Sequence, residues 1–276
     1  MSRAFCQVDV FTAVPYHGNP LAVVLDGEGL GTEEMQRFAH WTNLSETTFV
    51  LPPVDPAADY RVRIFTGSAE LPFAGHPTLG TCHAWLAAGG KPKTPGEVVQ
   101  ECGAGLVRVR ETGGGLAFAA PPLTRSGPVE ESLAGHAADL LGVGRDEIVA
   151  AEWADNGPGW IAVLLRDAEA VLALKPGRVD HFIGVVGPYP PGSPLAVEVR
   201  AFFPFEGGMA EDPVSGSLHA AIAQWLLRTG RARAPYVGGQ GTVLGRAGRV
   251  HVSTDDAGDI WVGGATVTCI SGQVEL

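Results

Sequence analysis

Two carboxylates, a histidine and two serines sit at or beside turns of this sequence: Glu46, Asp212, His76, Ser215 and Ser217. A carboxylate withdrawn from water becomes a better base, and an imidazole exchanges protons near neutrality, so this set suits general acid–base work. Four of the five lie in two related stretches. The first begins Glu70-Leu-Pro-Phe-Ala-Gly-His-Pro and the second contains Glu211-Asp-Pro-Val-Ser-Gly-Ser within a stretch opening at Glu206. Each turn runs straight into an apolar segment of helical length that stops at Gly90 or Gly230. The start of a helix presents unpaired N–H groups and a positive dipole end, and glycine lets an oxyanion approach closely. Gly75-His76 and Gly216-Ser217 could therefore hold a carboxylated ligand; the alternative is two ordinary core helices with glycine for close packing. Each residue also has a plainer local reading. Glu46 opens a strand in water, Asp212 precedes Pro213 as a turn former, His76 is a loop or capping histidine, and Asn19 forms a turn.

The elements that must position these groups are legible from pattern. From Leu79 to Ala88 only Thr81 and His83 are polar, and from Leu218 to Leu227 only His219 and Gln224. Helices apolar nearly all round are buried on every side, so one core helix is expected in each half of the chain. Pro77 is expected at the first helical position of one, and Ser215 or Ser217 at the cap of the other. Strands are expected at 6–11, 21–25, 47–51, 60–65, 97–100, 106–110 and 116–119, with a helix from Thr32, its cap, to Trp41. The Pro121 to Pro128 segment reads as a linker. Beyond it come a helix at 131–141, strands at 148–153 and 159–165, a helix at 167–174, and strands at 181–186 and 196–203. Four C-terminal strands are expected near 241–244, 249–253, 260–262 and 267–270. The two halves share a grammar of short strands, one of them Arg-bearing (Arg61 and Arg63; Arg200), followed by an apolar helix. The expected domains are 1–122 and 128–265, with the last strand, 266–276, packing on the first.

Composition removes several classes of function. The 276 residues carry 19 basic against 30 acidic side chains, a net charge of −11, with no basic cluster. Nucleic acid and anionic membrane are thus poor partners. No apolar run reaches the ~18 residues of a membrane span, and the first residues lack the apolar core of a secretory signal. Cys6, Cys82, Cys102 and Cys269 are scattered without a C-x-x-C pair, and the eight histidines include no H-E-x-x-H. A cytoplasmic protein with reduced thiols and no metal is expected, and the proposed chemistry calls for no cofactor.

Four segments together resemble the phenazine-biosynthesis-like (PhzF-like) family: Val8-Asp-Val-Phe-Thr with Gly18-Asn-Pro-Leu-Ala-Val-Val; Asn43-Leu-Ser-Glu-Thr-Thr-Phe-Val; Arg61-Val-Arg-Ile-Phe-Thr with Glu70-Leu-Pro-Phe-Ala-Gly-His-Pro-Thr-Leu-Gly; and Glu211-Asp-Pro-Val-Ser-Gly-Ser. The resemblance implies an α+β fold of the diaminopimelate-epimerase kind. It consists of two pseudo-symmetric lobes, each a mixed curled sheet around a central buried helix, with the active site between them and a homodimer as the assembly. Epimerases of this fold class use two cysteines at the helix entrances. Here the comparable turns carry none, and Cys82 lies more than a turn inside its helix. By resemblance Glu46 is the proton-shuttling carboxylate, with His76 and Asp212 as its catalytic companions. Gly75, Gly216, Ser217, Ser215 and Asn19 are then the substrate-binding positions. The expected activity is a cofactor-independent isomerase or epimerase moving a proton at carbon on a small carboxylated metabolite. The alternative is a small-molecule-binding protein that keeps the fold without turnover.

Overall fold

The computed structural model describes residues 1–205 and 207–276; Glu206, which opens the second stretch above, lies outside the described residues. In chain order the elements are β1 Ser2–Val10, β2 Asn19–Val24, α1 Thr32–Thr42, β3 Glu46–Leu51, β4 Tyr60–Phe65, β5 Glu70–Leu71, α2 Gly75–Ala87, β6 Glu97–Cys102, β7 Gly105–Thr112 and β8 Gly115–Ala119. They continue with β9 Arg125–Pro128, α3 Glu131–Leu141, β10 Ile148–Asp155, β11 Ile161–Leu165, α4 Ala168–Ala173, β12 Ile183–Pro188, β13 Val197–Phe203, β14 Ala210–Asp212 and α5 Gly216–Arg228. The last four are β15 Tyr236–Gln240, β16 Gly248–Thr254, β17 Ile260–Gly264 and β18 Thr266–Glu275. The chain divides into two units, Met1–Ala119 with Gly263–Leu276, and Ala120–Val262.

In the first unit β18 and β2 flank β1, both antiparallel to it. The sheet continues with β2–β3 parallel, β3–β4 antiparallel, β4–β5 antiparallel and β4–β6 parallel, then β6–β7 and β7–β8 antiparallel. The second unit repeats this sequence of pairings: β10–β11 antiparallel, β11–β12 parallel, β12–β13 and β13–β14 antiparallel, β13–β15 parallel, and β15–β16 antiparallel. Each unit is thus a mixed sheet whose short hairpin strand, β5 or β14, hands the chain to a helix of 13 residues.

Both helices are buried as their composition requires. In α2 every residue from Gly75 to Cys82 is buried, and in α5 only Ser217, Gln224, Leu227 and Arg228 are not. Gly80 lets α2 settle on its sheet, since a Cβ there would come within 3.0 Å of side-chain atoms of Leu21, Val10 and Val8. The packing is also energetic: fully burying a side chain such as Leu79 is worth about 1.5–3 kcal/mol.

Several local expectations need correction. Helix α2 starts at Gly75, so Pro77 is its third residue; this still lies in the first turn, where no N–H bond is lost. Gly31, not Thr32, caps α1, its N–H bonded to the Glu34 carboxylate at 2.9 Å, while the Thr32 hydroxyl accepts from Arg63. The linker segment is partly a strand, because Arg125–Pro128 pairs with Trp153 and its neighbours on β10. Residues 241–244 are not a strand. Gly241 turns left-handed (φ +86°) after β15, and Thr242–Leu244 form a single 3-10 turn.

Candidate active site

In the first unit three chain segments deliver the polar groups to one place. Asn19 and Glu46 are the first residues of the parallel strands β2 and β3, where Leu21 faces Glu46 in register, and His76 is the second residue of α2. His76 Nε2 lies 3.3 Å from Glu46 Oε2, and Asn19 Nδ2 lies 3.5 Å from His76 Nδ1. The imidazole is 5 % exposed while the Glu46 side chain keeps 15 %, so the carboxylate is the more accessible member of the pair. Burial pushes the His76 pKa down to about 3, against the opposing pull of the Pro20 carbonyl, and the ring is neutral at working pH. Among the described residues no side chain caps α2, whose preceding residue is Ala74. Its entry is held from behind instead. Tyr60 donates to Gln100 Oε1, Gln100 Nε2 to Thr78 Oγ1, and Thr78 Oγ1 to the Ala74 carbonyl, each at 2.9 Å.

The second unit gathers Asp212, Ser215, Gly216 and Ser217 around the start of α5. Ser215 is the cap, its hydroxyl accepting from Leu218 N at 3.4 Å and lying 3.3 Å from the Ser217 hydroxyl. The Ser217 hydroxyl accepts from Trp160 Nε1 at 3.4 Å, and its carbonyl from Asn156 Nδ2 at 2.8 Å. Half-buried Asp212 ends β14, its backbone paired with Ala201. The turn between them is stapled by Gln240, fully buried at the end of β15. Its Oε1 accepts from Ser215 N at 3.0 Å and its Nε2 donates to the Asp212 carbonyl at 2.8 Å. His219 is completely buried against this glutamine and is pushed down to about 4 by desolvation, which makes it a core histidine. His83 bonds Thr268 Oγ1 at 3.0 Å, likewise away from the helix entrances. Burial pushes the Cys82 thiol up to about 12, so it offers no thiolate for proton transfer.

The two clusters are built alike but armed differently. Glu-x-Pro-x-x-Gly occurs at 70–75 and again at 211–216, and the glycine opens the helix both times. In each unit the glutamate takes a two-pronged grip from an arginine on the preceding strand. Arg63 reaches Glu70 at 2.7 and 2.6 Å, and Arg200 reaches Glu211 at 2.8 and 2.7 Å. Such forks fix orientation as well as charge. Superposing the motifs sets Ala74 against Ser215, His76 against Ser217 and Leu71 against Asp212. Where the first unit pairs Glu46 with Leu21, the second pairs Ile183 with Ile161. A carboxylate at the start of the second of the parallel strands is therefore found in the first unit and not at the matching position of the second. The Arg–Glu clips and the glutamine supports were not expected from local pattern. The repeated Glu-x-Pro-x-x-Gly, and a glutamine directly after a short uncharged stretch at Gln100 (Val98-Val99) and Gln240 (Tyr236-Val-Gly-Gly239), are the signals that mark them.

Residues 8–272 match the family model described as phenazine biosynthesis-like protein. The chain is 34% identical to antisense-enhancing sequence 1 of Schizosaccharomyces pombe, over 98% of either chain. It is 33% identical to the trans-2,3-dihydro-3-hydroxyanthranilate isomerase of Pseudomonas aeruginosa, covering 92% of this chain and 91% of that one. Among solved structures, a Bacillus anthracis phenazine biosynthesis protein of the PhzF family superposes over the whole of both chains, with a TM-score of 0.83 at 22% identity. The fold is of the diaminopimelate-epimerase kind.

Proposed function

The chain belongs to the phenazine biosynthesis-like protein family and is an isomerase; from that premise we propose that it moves a proton at carbon on a small carboxylated metabolite. The observation that carries this reading is the buried Glu46–His76 contact, 3.3 Å long, with the imidazole held neutral by burial. A cationic His76 would fix Glu46 in an ion pair and weaken it as a base. The neutral ring orients the carboxylate and leaves it able to accept a proton. In the proposed reaction Glu46 takes a proton from a substrate carbon. The electron pair left behind delocalises into the adjacent unsaturated or carboxyl group. The same carboxyl then returns the proton to a second carbon, so Glu46 ends as it began and no net charge is gained or lost.

Beside Glu46, Gly75 offers a backbone N–H for the substrate carboxylate at the start of α2, with Asn19 next to it; Gly216, Ser215 and Ser217 offer the same kind of anion-binding groups at the start of α5. Helix ends of this kind contribute about 0.3–1 kcal/mol each to holding an anion. The absence of thiols at the helix entrances, with Cys82 fully buried, separates this chemistry from two-cysteine racemisation. The substrate named for the Pseudomonas aeruginosa relative is itself a carboxylate. It is the first defined compound to assay, beside carboxylated metabolite pools. The test is incubation in D₂O followed by mass spectrometry. Deuterium entering a carbon-bound position of a carboxylated compound is the expected result, and unlabelled pools across carboxylated metabolites would end the reading.

A further inference from the structure

We propose that His136, Asp180 and His181 form a binding site for one divalent transition-metal ion of the zinc class. His136 Nε2 lies 3.0 and 2.9 Å from the two Asp180 oxygens, and His181 Nδ1 lies 2.7 Å from Asp180 Oδ1. The candidate ligand atoms all fall within 4.8 Å of one another, the one such group of three among the described residues. Zinc bound tetrahedrally at ~2.0–2.1 Å sets its ligand atoms roughly 3.3 Å apart, so small side-chain rotations bring these three into range. The two rings already stand edge to face, with centroids 5.7 Å apart.

Donor chemistry selects the ion. Two imidazoles with one carboxylate suit zinc, nickel, cobalt or copper and exclude magnesium and calcium, which take oxygen ligands. Three protein ligands leave a coordination position for water. The neighbours are anchored: His136 on α3 precedes buried Ala137, and Asp180 and His181 lie between buried Val179 and Ile183, these three flanking residues belonging to one core cluster. The side chains remain 37–51 % exposed, so an ion reaches them directly. Once bound, it would clip α3 to the segment entering β12. The expectation of no metal rested on spacing, and spacing could not show a site whose ligands are 44 residues apart. None of the proposed proton-handling residues takes part, so this site is independent of the isomerase reading.

The test is calorimetric titration of EDTA-stripped, dialysed full-length protein with zinc chloride, and separately with magnesium chloride. One zinc per chain and no magnesium binding are expected, with at least tenfold weakening in His136→Ala, His181→Ala and Asp180→Asn. Failure to bind zinc, or a loss smaller than tenfold in the His136→Ala/His181→Ala double variant, would overturn the proposal. A second measurement uses the parent protein alone. Zinc should protect His136 and His181 from carbethoxylation, mapped by mass spectrometry, and equal labelling with and without zinc would also overturn it.

Discussion

Gln240→Leu probes the support of the turn before α5 without touching a residue assigned to substrate. The wild-type side chain is fully buried, accepts the Ser215 N–H at 3.0 Å and donates to the Asp212 carbonyl at 2.8 Å. Leucine is of similar size, so the packing survives while both hydrogen bonds disappear. A buried donor or acceptor left without its partner costs about 1–3 kcal/mol, and two of them cost roughly 2–6 kcal/mol. With a denaturant slope of about 2 kcal/mol per molar urea, the unfolding midpoint should fall by roughly 1 M or more. Urea denaturation followed by tryptophan fluorescence reads this directly. Proton exchange on substrate should fall in parallel, because the loosened turn no longer fixes Ser215 and Asp212. A destabilisation below about 0.5 kcal/mol would refute the staple and show that the turn is held by other groups.

Other perturbations follow from single contacts. Gly80→Val forces α2 away from Leu21, Val10 and Val8 and should destabilise by about 1–3 kcal/mol in the same urea assay, the usual penalty of overpacking. Ser215→Ala removes the cap on α5 and should cost about 1 kcal/mol. His76 and His219 are neutral when folded, with pKa values near 3 and 4 against 6.5 when unfolded, so the unfolded chain binds protons first as pH falls. Their contribution is fully present above pH 6.5 and is lost below it, by about 1.4 kcal/mol per pH unit per histidine, until the folded values are reached. His219→Gln should flatten that acid limb in denaturation measured from pH 7 to pH 4, and an unchanged limb would count against the buried neutral ring.

The alternation of Tyr60–Phe65 and the unbroken apolar faces of α2 and α5 were plain in sequence because burial leaves its period in the residues. Strands β5 and β14 were invisible, since two or three residues carry no period. β9 was hidden because Arg-Ser-Gly-Pro has the composition of a loop and becomes a strand only by pairing with β10. Gly241 broke an apparent strand through backbone geometry that a Thr-Val-Leu run conceals. For the site, Glu46 and His76 stood out by resemblance, but their contact is tertiary and joins the starts of β3 and α2. Gln100 and Gln240 act on turns more than twenty residues away in sequence, so only the fold reveals what they hold.

The central claim is that Glu46 is the base that moves a proton at carbon. It is tested most directly by Glu46→Gln, which keeps the shape and the contact with His76 but cannot take up the proton. Deuterium exchange on substrate in D₂O, measured by mass spectrometry, should fall about 10²-fold or more, with substrate affinity and unfolding midpoint close to those of the parent. Exchange within about tenfold of the parent, in a variant that is folded and binds normally, would contradict the claim.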